Sequence, residues 1–64
     1  MSYSVILPTL NEAGHIIQLT NKIFETLSKT NEKFEILIID DSSTDRTPEL
    51  CKELEKKKDN IFFF

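Results

Sequence analysis

Ile36-Leu37-Ile38-Ile39-Asp40-Asp41-Ser42-Ser43-Thr44-Asp45-Arg46-Thr47 is the stretch on which the architecture of this chain rests. Four aliphatic residues in succession run directly into two carboxylates, then into small hydroxylated residues. An apolar run without polar alternation suits a strand of a parallel sheet, buried on both faces. The carboxylates fall where such a strand emerges at its carboxyl end, the edge beyond which open α/β sheets bind ligands. The Ser/Thr/Asp cluster supplies turn residues and the start of a following helix. The stretch thus sets two acids at the mouth of a sheet, immediately before a helix N-terminus.

Working outward, residues 3–7 read as a first strand, stopped by Pro8, with Asn11 as the cap of a first helix. From residue 12 to residue 29 the apolar positions 13, 16, 17, 20, 23, 24 and 27 follow helical spacing, with Thr20 the weak member. Residues 34–39 form the second strand. Thr47-Pro48-Glu49 opens a second helix, with a capping Thr, Pro at the first helical position and Glu facing the dipole. That helix runs to about residue 57 with Leu50, Cys51 and Leu54 inward, and residues 61–64 begin a third strand. The predicted order is β-α-β-α-β, a three-stranded parallel sheet with right-handed crossovers. The whole of residues 1–64 reads as one segment cut from something longer, because the chain stops inside an apolar strand.

Bulk properties narrow the function. At 64 residues the chain forms one domain at most, and a core of that size is a marginal stabiliser. With 39% hydrophobic and 30% charged residues it is globular. Its single glycine excludes a Gly-rich phosphate loop, and its net charge of −3 argues against nucleic acid as partner. Cys51 has no second cysteine to pair with, which fits a reducing, cytoplasmic setting. The opening residues lack the pattern of a signal peptide, and no apolar stretch reaches the ~18 residues of a membrane span.

Asp40 and Asp41 are the leading candidates for a site, as acceptors for a ligand's N–H and hydroxyl groups. Being adjacent on an extended strand, they point to opposite faces and need not converge on one ion. Glu12 stands at the same end of the sheet, where a plain helix-dipole contact explains it equally well. Asp45 and Thr47 read as structural, ordering the loop and starting the helix. His15 and the run Lys56-Lys57-Lys58 read as solvated, and Cys51 as core.

Two motifs, Val5-Ile6-Leu7-Pro8-Thr9-Leu10-Asn11-Glu12 and Ile38-Ile39-Asp40-Asp41-Ser42-Ser43-Thr44-Asp45-Arg46-Thr47, together resemble the opening of family 2 glycosyltransferases of GT-A fold. The likeness is greatest to the dolichol- or polyprenyl-phosphate mannosyltransferase type, and it covers about the first quarter of such a catalytic domain. The resemblance implies a Rossmann-like nucleotide-binding fold in which Pro8, Leu10, Glu12, Ile39 and Asp41 contact the nucleotide, with Asp40 and Asp45 supporting the loop. It implies a GDP- or UDP-sugar as donor, a lipid acceptor such as polyprenyl phosphate, and action at the cytoplasmic face of a membrane. A divalent metal, Mg or Mn, is expected for the full-length enzyme, with its ligands and the catalytic base outside this chain. The 64 residues alone are therefore expected to be inactive. The family often carries Gly where Ser42 and Arg46 stand, and a frequent Tyr is replaced by Leu10.

Two other readings compete. A receiver-like module would use the acid pair for Mg²⁺, but it wants acceptor and Lys positions after later strands. A structural module would assemble through strand pairing, since the first strand's edge has no neighbour; self-association is expected on that ground.

Overall fold

The computed structural model describes residues 2–64 and contains β1 (Ser2–Thr9), α1 (Ile16–Ser28), β2 (Lys33–Asp40), α2 (Thr47–Lys57) and β3 (Ile61–Phe63). The strands form one parallel sheet in the order β1-β2-β3. The expected β-α-β-α-β sheet is thus the observed one, as the opening of a Rossmann-like fold.

The expectation that β2 is buried on both faces does not hold. Ile36 and Ile38 are fully buried, whereas Ile39 is 44% exposed and Ile6, on the neighbouring strand, is 61% exposed. The reason lies in the topology. Two right-handed crossovers that step in the same direction across the sheet put both helices on one face. Ile16 of α1 and Cys51 and Leu54 of α2 accordingly meet Ile36, Ile38 and Ile61 in a single cluster, with Val5, Leu7, Ile23 and Phe24 packed around it. The register sets Val5 beside Ile36 and Ile36 beside Ile61 on the covered face, and Ile6 beside Leu37 and Leu37 beside Phe62 on the open one.

Two element boundaries also differ from expectation, each for a local reason. Pro8 does not stop β1, which continues to Thr9. The Thr9 carbonyl accepts from the Asp41 N–H, so Thr9 turns its backbone groups toward β2 and Pro8, one residue earlier, turns its missing donor outward. An edge strand tolerates Pro where its nitrogen faces away from the neighbouring strand. Asn11 does not cap α1: it adopts a left-handed φ of 52°, and the helix begins at Ile16 after a turn in which the Glu12 carbonyl accepts from His15 and Ile16. Thr20, the weak member of the stripe, is fully buried and its hydroxyl has no partner among the described residues. At the far end of the sheet Phe24 meets Phe34 edge-on, and Lys58, read as solvated, sits 4.5 Å over the Phe24 ring.

Candidate functional site

The carboxyl ends of β1 and β2 release two loops, residues 10–15 and 41–46, which are stitched to each other by side chains. Asp40, the last residue of β2, lies on the covered face. Its carboxylate accepts from the Thr9 hydroxyl at 2.8 Å, from the Ser43 N–H at 2.8 Å and from the Ser43 hydroxyl. The Ser43 oxygen in turn accepts from the Asn11 N–H at 2.8 Å. Asn11 reaches the opposite way, its side-chain oxygen accepting from the Thr44 N–H at 2.8 Å and the Asp45 N–H at 3.3 Å.

Asp45 completes the stitching. It accepts from the Ala13 N–H at 3.2 Å and from both the N–H and the hydroxyl of Thr47. The fully buried Thr47 hydroxyl oxygen accepts from the Glu12 N–H at 2.8 Å. The start of α2 is therefore ordered by the Asp45 carboxylate rather than by Thr47 as cap, and the Thr47 side chain is spent on the other loop.

These contacts divide the acids into two kinds. Hydrogen bonds from Ser43, with Thr9, hold the Asp40 carboxyl below its usual range, against the opposing effects of partial burial and the Asp45 charge. Hydrogen bonds from Thr47, with Ala13, do the same for Asp45. Both are ionised at neutral pH and engaged within the protein. Burial, with the negative charges of Asp40 and Asp45, pushes the Cys51 thiol up to about 11, so it is a core residue and no nucleophile.

Asp41 and Glu12 are the other kind: exposed acids whose carboxylates have no partner among the described residues. By strand alternation Ile39 and Asp41 share the open face with Pro8, which lies beside Ile39 in the register. Leu10 follows at the end of β1, 53% exposed. Of the residues expected at a site, Pro8, Ile39 and Asp41 thus gather at one corner of the open face, with Leu10 and Glu12 on the adjoining loop. Asp40 and Asp45 stand behind them and fix both loops. The contributions of Asn11, Ser43 and Thr47 to this scaffold were not legible as cross-links. The only signal is the density of hydroxyl and amide side chains in both loops, which local turns explain equally well.

Ser42, between the acids and Ser43, has φ 59°. A non-glycine residue in the left-handed region costs about 1–2 kcal/mol, of which glycine's extra chain entropy would return about 0.5–1. Ser42 is exposed and its side chain has no partner among the described residues. Ser42→Gly should therefore raise stability by about 0.5–1 kcal/mol, read as a higher urea midpoint at unchanged slope; a lower midpoint would show that the serine side chain contributes.

The site can offer hydrogen-bond acceptors beside an apolar shelf. Among the described residues no three His, Cys, Asp or Glu side chains come together to hold a metal ion.

Comparison with known proteins adds the rest. The sequence profile described as "Glycosyl transferase family 2" matches residues 4–64. A dolichyl-phosphate beta-glucosyltransferase of Saccharomyces cerevisiae is 39% identical over 56 residues, 86% of this chain and 17% of the relative. A dolichol-phosphate mannosyltransferase of Pyrococcus furiosus is 42% identical over 57 residues, 89% of this chain and 16% of the relative. The chain thus spans about a sixth of the length of these curated relatives. No solved structure matches.

Proposed function

The chain belongs to glycosyl transferase family 2, and from that premise we propose that it forms the nucleoside-holding opening of a transferase. The reaction class is movement of a sugar from a nucleotide diphosphate sugar to an acceptor such as polyprenyl phosphate, at the cytoplasmic face of a membrane. The two named relatives support the acceptor class, since both are called dolichyl- or dolichol-phosphate transferases. Among the described residues no helix is long and apolar enough to cross a membrane.

One observation carries the reading: two loops pinned by Asp40 and Asp45 hold the free carboxylates of Glu12 and Asp41 near an exposed apolar shelf of Pro8, Leu10 and Ile39. Ribose hydroxyls and base N–H groups are donors, and free carboxylates are their strongest acceptors. Asp41 is taken as the base contact, Glu12 as the ribose contact, and Leu10 and Ile39 as the surface against which the nucleoside lies. The Mg or Mn that would neutralise the diphosphate finds no group of three His, Cys, Asp or Glu side chains among the described residues, and the reading assigns its ligands to residues outside this chain. The reading also assigns activation of the acceptor to residues outside this chain, so the 64 residues alone are proposed to be inactive.

The test is a two-dimensional NMR titration of the labelled chain with GDP and UDP, with and without Mg²⁺. Shifts confined to Leu10, Glu12, Ile39 and Asp41, selective for one base and reduced at least tenfold in apparent affinity by Asp41→Ala, are expected. A well-dispersed spectrum that does not move at millimolar nucleotide would sink the nucleoside site and leave a structural module.

A further inference from the structure

The two loops at the sheet's mouth are joined in both directions, and the two directions are not equal. Three successive amides of the first loop donate to side chains at residues 43–47. The Asn11 N–H meets the Ser43 hydroxyl oxygen at 2.8 Å, the Glu12 N–H the Thr47 hydroxyl oxygen at 2.8 Å, and the Ala13 N–H the Asp45 carboxylate at 3.2 Å. In the reverse direction a single side chain of residues 10–15, among the described residues, accepts from the second loop. It is Asn11, whose side-chain oxygen takes the Thr44 N–H at 2.8 Å and the Asp45 N–H at 3.3 Å. Its backbone stands at φ 52°, a left-handed conformation in which asparagine and aspartate are enriched. Position 11 thus needs tolerance of that backbone and an acceptor of this length at once. Asparagine and aspartate have both, and glycine only the first.

Asn11 lies between Leu10 and Glu12, and its partners at residues 43–45 follow directly on Asp41 and Ser42. The residues on either side of Leu10 are both tied to the end of β2. The Thr9 hydroxyl donates to the Asp40 carboxylate, and the Asn11 N–H donates to Ser43, whose own hydroxyl donates to that carboxylate. Leu10 is therefore presented on a bracketed backbone while its side chain stays exposed.

We infer that Asn11 is the positioning residue of the nucleoside site: it sets Leu10 and Glu12 on one loop against Asp41 on the other, its own side chain being spent between the loops. The inference rests on the nucleoside reading proposed above and adds the residue that fixes its geometry. Every contact behind it is made between residues 9 and 47, so it does not depend on what lies against the open face or the edges of the sheet. The energetic route is pre-organisation. With the loops tied, the two acceptors wait at their working separation. Untied, only a fraction of the molecules holds that separation, and the apparent affinity falls by that fraction.

Asn11→Gly tests this, because glycine keeps the left-handed backbone and the N–H bond to Ser43 and removes the side-chain acceptor alone. Asn31, at φ 59° in the turn between α1 and β2, supplies the matched control. In NMR titrations with GDP and UDP, Asn11→Gly should bind about fivefold more weakly, the worth of one lost hydrogen bond, with Asn31→Gly and Asn11→Asp within about twofold of wild type. Without nucleotide, the Thr44 and Asp45 amides should exchange with solvent faster in Asn11→Gly than in wild type, and at the wild-type rate in Asn11→Asp. A wild-type spectrum that ignores both nucleotides removes the nucleoside site and the positioning role with it. Unchanged affinity in Asn11→Gly, or an equal loss in Asn31→Gly, overturns the positioning role alone and leaves the nucleoside reading standing. An Asn11→Gly chain that loses its dispersed spectrum while Asn11→Asp keeps it shows a purely structural role, and overturns the inference in the same way.

Discussion

Ile38→Ala is expected to leave the chain largely unfolded at 25 °C. Ile38 is fully buried at the centre of the middle strand, on the face covered by both helices, in the cluster with Ile16, Ile36, Cys51, Leu54 and Ile61. Truncating a buried isoleucine to alanine costs about 2–5 kcal/mol, the lost transfer energy plus the cavity left behind. A 64-residue chain without disulfide or metal commands about 3–5 kcal/mol in total. The two quantities are of the same size, so one truncation removes most of the folded population. Loss of amide dispersion in NMR and of the cooperative urea transition would register it. Ile39→Ala, one residue on, is the control: its side chain is half exposed on the open face, and its cost should stay below about 1 kcal/mol. If both variants lowered the urea midpoint equally, the assignment of a covered and an open face would be wrong.

Thr47→Val should produce the second largest loss, about 1–3 kcal/mol, although the two side chains have nearly the same volume. The hydroxyl is buried and used twice, accepting from the Glu12 N–H and donating to Asp45. Valine leaves the part-buried Glu12 amide without an acceptor, and an unsatisfied group of that kind carries the full desolvation penalty. The loss has a pH signature. Thr47 is the main cause of the lowered Asp45 pKa. A carboxyl whose folded pKa is lowered contributes stability that is present above its unfolded pKa and vanishes as pH falls through the folded one. Thr47→Val returns Asp45 toward the ordinary value and removes the hydroxyl's share of that contribution at neutral pH, while the N–H groups of residues 47 and 13 keep theirs. The gap in stability between wild type and variant should therefore narrow as pH drops below the usual carboxylate range. A gap that stays constant with pH would mean that Thr47 acts by packing alone. Because Glu12 would be released from its anchor, the nucleotide-induced shifts at Glu12 should also weaken several-fold.

The two variants mark the boundary between what was readable in the chain and what was not. The apolar run 36–39, the helical spacing of Ile16, Ile23 and Phe24, and the Thr47-Pro48-Glu49 start depend on neighbours within a few residues, so order and type of elements follow from sequence alone. The two motifs likewise identify the family, since each lies within a short span of chain that the comparison reads directly. Pro8 does not end β1 as its residue type suggests, because whether a proline breaks a strand depends on which way its nitrogen faces, and sequence alone does not say that. The open face is not legible in the sequence, because a continuous apolar run does not say how many layers cover it; two crossovers in one direction supply a single layer. Asn11, Ser43 and Thr47 look like turn and cap residues, yet each also has a partner more than thirty residues away in the other loop. Local pattern determined the elements and the acids at the sheet's mouth. Only the tertiary structure determined which acids are engaged and which remain free, because a hydrogen bond between two loops depends on the register of the strands that carry them.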